Sequence, residues 1–359
     1  MGLHAVSQFL KTKHPHLIHS EHLSLFAHTR VFVDVATYIF RFVCKFGTHK
    51  RDSTGSKHLT YAWFNSFFKF MLCFKQNGVT VIPVFDGQAP PAKLIEQTVR
   101  RETRQKQKDR AASLALALKV SDPDIICKEL KLPLDTALTH AHLIQAQELI
   151  DTIELQTSYV APTELAFLQE LLTACGICWV QAPEEAEAYC SFLVRHKFGK
   201  AVVSYDTDCI AHRADIIIFS VDFHTGTITF MNTCELLEAL EFSEEQMVDF
   251  AILVGCDYNP NSRVNGIGPV NAVKLLQKHG CIENIPNLNT EVLLYQHIRT
   301  LFNPVHDLHE CSRQIRFVEA NVDKLQSLAE DKADLNVALL MELATGKAQQ
   351  RYLSAFGGN

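Results

Sequence analysis

What most limits how this chain can fold is a set of short apolar runs that each end in acid. Val31-Phe32-Val33 runs into Asp34, and Val81-Ile82-Pro83-Val84-Phe85 runs into Asp86. Cys178-Trp179-Val180 leads through Ala182-Pro183 to Glu185 and Glu187, and Ala201-Val202-Val203-Ser204-Tyr205 leads to Asp206 and Asp208. A seventh acid, Asp257, follows Gly255-Cys256. Short apolar runs of this kind read as buried strands of a parallel sheet. Ligands of such sheets sit beyond the carboxyl ends of the strands. Acids far apart in the chain are therefore expected to converge along one edge of an α/β fold, a mostly parallel sheet flanked by helices.

Ionised carboxylates held side by side repel one another unless cations neutralise them. Oxygen-only donors suit hard cations, Mg²⁺ first and Mn²⁺ as a substitute. Seven acids exceed what one octahedral ion that keeps its waters can use, and they suit a pair of ions about 4 Å apart. Asp34, Asp86, Glu185 and Glu187 are expected to serve one ion, partly through water. Asp206, Asp208 and Asp257 would serve the other, with Glu187 able to reach both.

The order and spacing of these pieces resembles the flap endonuclease and XPG-like family of structure-specific 5′ nucleases. The resemblance runs from Met1 to about Ile285. It rests on Met1-Gly2-Leu3, the Asp34 strand, Phe85-Asp86-Gly87, Ala182-Pro183-Glu184-Glu185-Ala186-Glu187-Ala188, Asp206-Thr207-Asp208, Gly255-Cys256-Asp257-Tyr258 and Gly266-Ile267-Gly268-Pro269. It implies a PIN-like nuclease fold with a helical gateway or cap and a helix–hairpin–helix region. It also implies metal-dependent hydrolysis of branched or nicked DNA in replication, recombination or repair, by a monomer acting in the nucleus. Glu184 is set aside, because the family pattern puts ligands at the fourth and sixth positions of Ala-Pro-x-Glu-Ala-Glu. Lys93 and Arg100 match the family's two basic residues that stabilise charge on the scissile phosphate. Phe40 falls where the family stacks an aromatic ring on a base near the junction. Gly2 is expected to fold back towards the site. Gly266 and Gly268 match the phosphate-binding hairpin, where glycine lets backbone approach closely and amides at the next helix start bind the anion. Lys274 and Lys278 follow as phosphate partners.

Charge needs care, because a net −6 looks wrong for a nucleic-acid binder. Setting the seven acids aside leaves 33 acids against 34 bases. The bases are also uneven. Between Lys93 and Arg110 stand Arg100, Arg101, Arg104, Lys106 and Lys108, and the segment carries a net +4. Directly after the Asp86 run, that cluster reads as phosphate steering, with Arg101 and Arg104 as contacts. No apolar run reaches membrane-spanning length, and the N-terminus shows no signal-peptide pattern. Eleven scattered cysteines suit an intracellular, reducing compartment. Cys175-Gly176-Ile177-Cys178 reads as a helix-to-strand turn rather than a zinc site.

The chain divides into a nuclease region (1–110), a mostly helical insertion (111–160), a second nuclease region (161–258), a helix–hairpin–helix region (259–325) and a tail (326–359). A helix is expected over Thr163–Ala174 and a hairpin over Ile216–Met231. A Ser243/Gln246 capping box should open a helix running to Val254. Pro183 is expected in the first turn of the helix bearing Glu185 and Glu187. Two features depart from the family. The insertion is net −4 where the family has a basic gateway, and the basic C-terminal tail is missing. Gln350, Leu353 and Phe356 resemble a degenerate sliding-clamp peptide. Two alternatives stay open: a same-fold endoribonuclease degrading messenger RNA, and a non-catalytic DNA- or clamp-binding protein.

Overall fold

The computed structural model describes residues 4–51, 57–259, 264, 266–330, 332 and 334–345. Seven strands form one sheet: β1 (His19–His22), β2 (Arg30–Asp34), β5 (Thr80–Phe85), β6 (Val180–Gln181), β7 (Ala201–Val203), β8 (Ile216–Asp222) and β9 (Thr227–Asn232). A separate small hairpin joins β3 (His49–Arg51) to β4 (Lys57–Leu59). The large sheet is ordered β1-β9-β8-β7-β2-β5-β6. The pairings along β6-β5-β2-β7-β8 are parallel, whereas β9 pairs antiparallel with both β8 and β1.

Period-two alternation along the strands feeds two separate cores. Phe32, Ile82, Val84 and Val202 point to one face, against Leu193, Phe250 and Leu253. Val31, Val33, Ala201 and Val203 point to the other, against Phe67, Phe74, Leu171 and Leu340. Both faces are thus covered by helices, which is why the strands carry almost no polar residues until their ends. β2 lies between β5 and β7, and all three run the same way. Asp34, Asp86 and Asp206 consequently leave the sheet on one edge.

The expected hairpin is β8–β9, turning at Gly226 with φ +73. The expected helices are Pro162–Ala174 and Glu244–Val254, the latter opened by a Ser243/Gln246 capping box. At Cys175–Cys178 the first of these helices stops and Gly176, φ +73, turns the chain towards β6. Three expectations change. The basic segment is a single helix, Leu94–Val120, so the boundary placed at residue 110 falls inside it. It ends where Ser121 turns left-handed and Asp122 caps the Pro123–Leu130 helix. Pro183 lies ahead of the acid-bearing helix, which starts at Ala186 with Glu185 as its N-cap. Residues 326–345 are not a tail. The Val337–Thr345 helix buries Leu339, Leu340 and Leu343 in the second core, and Lys75 Nζ donates to Leu343 O.

The insertion has its own small core. Leu114 and Ala117 from the Leu94–Val120 helix pack on Ile126 and on Ile150 and Ile153 of the His140–Gln156 helix. An Arg110–Glu129 ion pair at 2.5 Å ties its helices together.

Candidate active site

The edge is built from strand ends and helix starts. Asp34 ends β2 and caps the Val35–Phe46 helix, its Oδ1 accepting from Ala36 N at 3.1 Å. Its Oδ2 accepts from Ser204 Oγ at 2.8 Å, and the same hydroxyl accepts from Asp206 N at 3.0 Å. Ser204 thus pins β2 and β7 together at the point where their acids emerge. Asp206 Oδ1 in turn accepts from Asp208 N at 2.9 Å. Asp86 Oδ1 accepts from Ala186 N at 2.9 Å, which ties the end of β5 to the helix carrying Glu187. Gly87 makes that approach possible. A Cβ there would lie 2.2 Å from Ala182 O and 2.5 Å from Pro183 O, both rigid backbone, so only glycine fits.

Lys93 lies in the midst of the acids. Its ammonium pairs with Glu185, with Glu187 at 3.0 Å and with Asp257 at 3.9 Å, and it is almost fully buried. Arg100 approaches from the next turns of the same helix and pairs with Asp257 at 2.8 Å and with the buried Glu96. Tyr258 donates its hydroxyl to Glu185. Glu184 points to solvent while Glu185 and Glu187 are buried, as the sequence pattern requires.

Two bases do not balance seven acids. Burial, then the charges of Glu187 and Asp86, push Asp34 well above the usual carboxylate range. Burial, then Asp206 and Asp257, do the same to Asp208. Desolvation, then the Glu187 charge, raises Asp86 to about 6 and Glu185 to about 7. Asp206 is raised for the same two reasons. Glu187 goes the other way: burial opposes ionisation, but the Lys93 ammonium outweighs it and holds the carboxyl low. Lys93 itself is raised, because Glu187 and Glu185 overcome the penalty of burying it. Nearby His212 is buried against Phe302, and that burial lowers it to about 4.

A cation is what this donor set lacks. Five carboxyls resist ionisation, all donors are oxygen, and the Lys93 ammonium supplies locally the charge that a bound ion would supply. Among the described residues no three acids stand at the spacing of one shared ion, and the Lys93 ammonium occupies the space among Glu185, Glu187 and Asp257. The residues fit divalent cations by chemistry and charge.

The remaining sequence candidates surround this edge. Phe40 is 56% exposed on the outer side of the Val35–Phe46 helix, not in the core. Arg101 is exposed and Arg104 half-buried on the Leu94–Val120 helix. Gly266 has φ +83, Gly268 caps the Pro269–His279 helix, and a Cβ on either would meet open space. Lys274 and Lys278 are exposed one turn apart on that helix. Gly2, Gln350, Leu353 and Phe356 lie outside the described residues. Ser204, Gly87, Tyr258 and Glu96 were not singled out from sequence. Ser204 and Tyr258 each flank a candidate acid within two residues, which is the signal that points to them.

A mostly parallel sheet flanked by helices, with acids gathered at its carboxyl edge, is a PIN-like fold. This chain belongs to the XPG-like family: residues 1–107 match the XPG N-terminal domain and residues 176–257 the XPG I-region. It is 26% identical to Flap endonuclease 1 of Babesia bovis, over 99% of this chain and 50% of that protein. It is 30% identical to the putative RAD2-like endonuclease 095R of Frog virus 3, over 62% of this chain and 64% of that one. The chain thus spans half the length of the first relative and just under two thirds of the second. The catalytic core of Rad2 in complex with DNA substrate superposes with a TM-score of 0.59 at 17% identity, over 94% of this chain and 99% of that one. No helix among the described residues is long and apolar enough to cross a membrane.

Proposed function

We propose that this chain is a divalent-metal-dependent, structure-specific 5′ nuclease that hydrolyses DNA phosphodiester bonds near junctions of single strand and duplex. The observation that carries this reading is the meeting of Asp34, Asp86, Glu185, Glu187, Asp206, Asp208 and Asp257 at one sheet edge, under-compensated by Lys93 and Arg100. Two Mg²⁺ ions, or Mn²⁺, would be held there by Asp34, Asp86, Glu185 and Glu187 on one side and Asp206, Asp208 and Asp257 on the other. Bound there, such ions supply Lewis acidity for the attacking water and the departing oxygen.

The protein supplies the rest. Drawn off the acids, Lys93 and Arg100 present an ammonium and a guanidinium to the scissile phosphate, where charge develops. Phe40 offers a ring for the last base before the junction. Gly266 and Gly268 leave backbone open for a phosphate of the duplex arm, with Lys274 and Lys278 behind them. Arg101 and Arg104 draw the strand towards the edge. The acidic insertion stands on the same helix as these bases, so steering rests on that helix's first half. Gly2 and the Gln350, Leu353 and Phe356 peptide remain proposals from resemblance, as contacts to substrate and to a sliding clamp.

Asp206→Ala tests the reading directly. It should bind a labelled 5′-flap DNA in a gel-shift titration within about threefold of wild type while losing cleavage by 100-fold or more, the scale of removing a principal electrostatic contributor. Cleavage at near wild-type rate would overturn the metal assignment. An unmodified protein that binds flap DNA and never cuts it would make this a non-catalytic DNA-binding protein.

A further inference from the structure

One cation at the acidic edge is not claimed by the acids. Arg41 is exposed on the Val35–Phe46 helix, next to Phe40. Its guanidinium carbon stands 4.3 Å from the centroid of the Tyr205 ring. Tyr205 immediately precedes Asp206. Its ring lies 4.8 Å from Tyr38, and Tyr38 stacks on Phe70 at 4.2 Å, with Tyr38 and Phe70 both fully buried. A row of three rings therefore runs from the second core to the surface and ends under the guanidinium. Arginine on an aromatic face is held by the ring's quadrupole, here with a side-chain hydrogen bond to the Tyr205 hydroxyl as well, and its remaining N–H groups suit an anion.

The contrast with the other two bases is the point. Lys93 and Arg100 are tied to Glu185, Glu187, Asp257 and Glu96. Among the described residues, Arg41 makes no ion pair within 4 Å, although Asp206 is the next residue after its seat. Among the described residues its recorded partner is Tyr205, through both the ring face and the hydroxyl, and the rings beneath it restrict where it can go. Such a group suits a phosphate that arrives from outside.

We propose that Arg41, seated on Tyr205, is a substrate-positioning residue that grips a phosphate of the strand running into the acidic edge, beside the base met by Phe40. Tyr205 and Tyr38 act through it by fixing its place. This assignment rests on the nuclease reading and deepens it, by adding a contact on the β7 side of the edge opposite Lys93.

The test is binding of a labelled 5′-flap DNA by fluorescence anisotropy across a salt series, with Ca²⁺ in place of Mg²⁺ so that binding is read without cleavage. Arg41→Ala should weaken binding about tenfold at low salt. It should also flatten the log K against log salt slope by about 0.7–0.9, the loss of one phosphate contact. With Mg²⁺ restored, KM should rise and kcat stay within about threefold of wild type, the pattern of a lost binding contact. Tyr205→Phe keeps the ring but loses the hydroxyl's hydrogen bonds to Arg41 and Tyr38, and should retain more affinity than Tyr205→Leu. Tyr205→Leu should lose part of the affinity, and the Arg41→Ala/Tyr205→Leu pair should be no worse than Arg41→Ala alone. The melting temperature of Arg41→Ala should stay at the wild-type value. An Arg41→Ala protein with wild-type affinity and slope overturns the assignment while leaving the nuclease reading intact. Additive losses in the double variant overturn the role of Tyr205 as the seat. A wild-type protein that does not bind the flap overturns both readings together.

Discussion

Glu185→Gln should make the metal-free protein more stable while destroying its activity. Glu185 is 7% exposed, and burial with the Glu187 charge lifts its carboxyl from an ordinary 4.5 to about 7. A raised carboxyl holds its proton more tightly in the folded than in the unfolded chain. Its contribution to stability is therefore complete below pH 4.5 and is lost as pH rises to 7 and above. At pH 7.5 the ionised group costs about 3 kcal/mol relative to its neutral form. Glutamine keeps the shape, can still accept from Tyr258, and has no charge to strand. Lys93 loses one partner but keeps Glu187 and Asp257. With an unfolding entropy of about 2.1 cal/mol/K per residue over 359 residues, the gain corresponds to a Tm rise of about 4 °C. Scanning calorimetry in chelator should show that rise at pH 7.5 and no difference at pH 4. Adding Mg²⁺ should raise wild type more than the variant, because only the intact acid set gains fully from ligand linkage. A lower Tm for Glu185→Gln in chelator at pH 7.5 would refute the reasoning, since the Lys93 pair would then outweigh the crowding of acids.

Three further outcomes are expected. At limiting Mg²⁺ the cleavage rate should climb between pH 6 and pH 7, as Asp86 (about 6) and Glu185 (about 7) ionise, and excess Mg²⁺ should shift that climb to lower pH by competing with protons; a flat pH–rate profile would contradict it. Lys274→Ala with Lys278→Ala should reduce the salt slope of binding to plain duplex by about 1.8, with no change in the cut position. Leu114→Ala, at a fully buried site, should loosen the insertion by about 2–5 kcal/mol, seen as faster hydrogen exchange over residues 111–156 with the main melting transition unmoved.

The parts of the fold visible in sequence were those where one local rule suffices. β2, β5 and β7 announce themselves as apolar runs because both sheet faces are buried. The acid at each end could be picked out because polar residues are otherwise absent there. The β8–β9 hairpin and the Ser243 cap carry their own turn and capping chemistry. Elements with no apolar signature were invisible. β1 reads His-Ser-Glu-His and lies mostly exposed at the sheet's edge, and β3–β4 is equally polar. Charge changes sign along the Leu94–Val120 helix, whereas its backbone has no break before Ser121. The Val337–Thr345 helix reads as tail in the sequence, although its leucines match a face for the Ala62–Gln76 helix that only the fold brings near. The site divides in the same way. Which acids gather follows from strand order, but the capture of Lys93 by three of them and the seating of Arg41 on Tyr205 depend on contacts across long stretches of chain.

The central claim is tested most directly by incubating the protein with a labelled 5′-flap DNA and with its RNA counterpart, each with Mg²⁺ and with chelator, and mapping the cut. A Mg²⁺-dependent cut in the DNA within about one nucleotide of the junction, abolished by chelator, is the expected result. RNA cleaved with DNA untouched would keep the acid edge but turn the enzyme to RNA degradation. Cleavage that survives the chelator, or no cleavage of either substrate, would contradict the account.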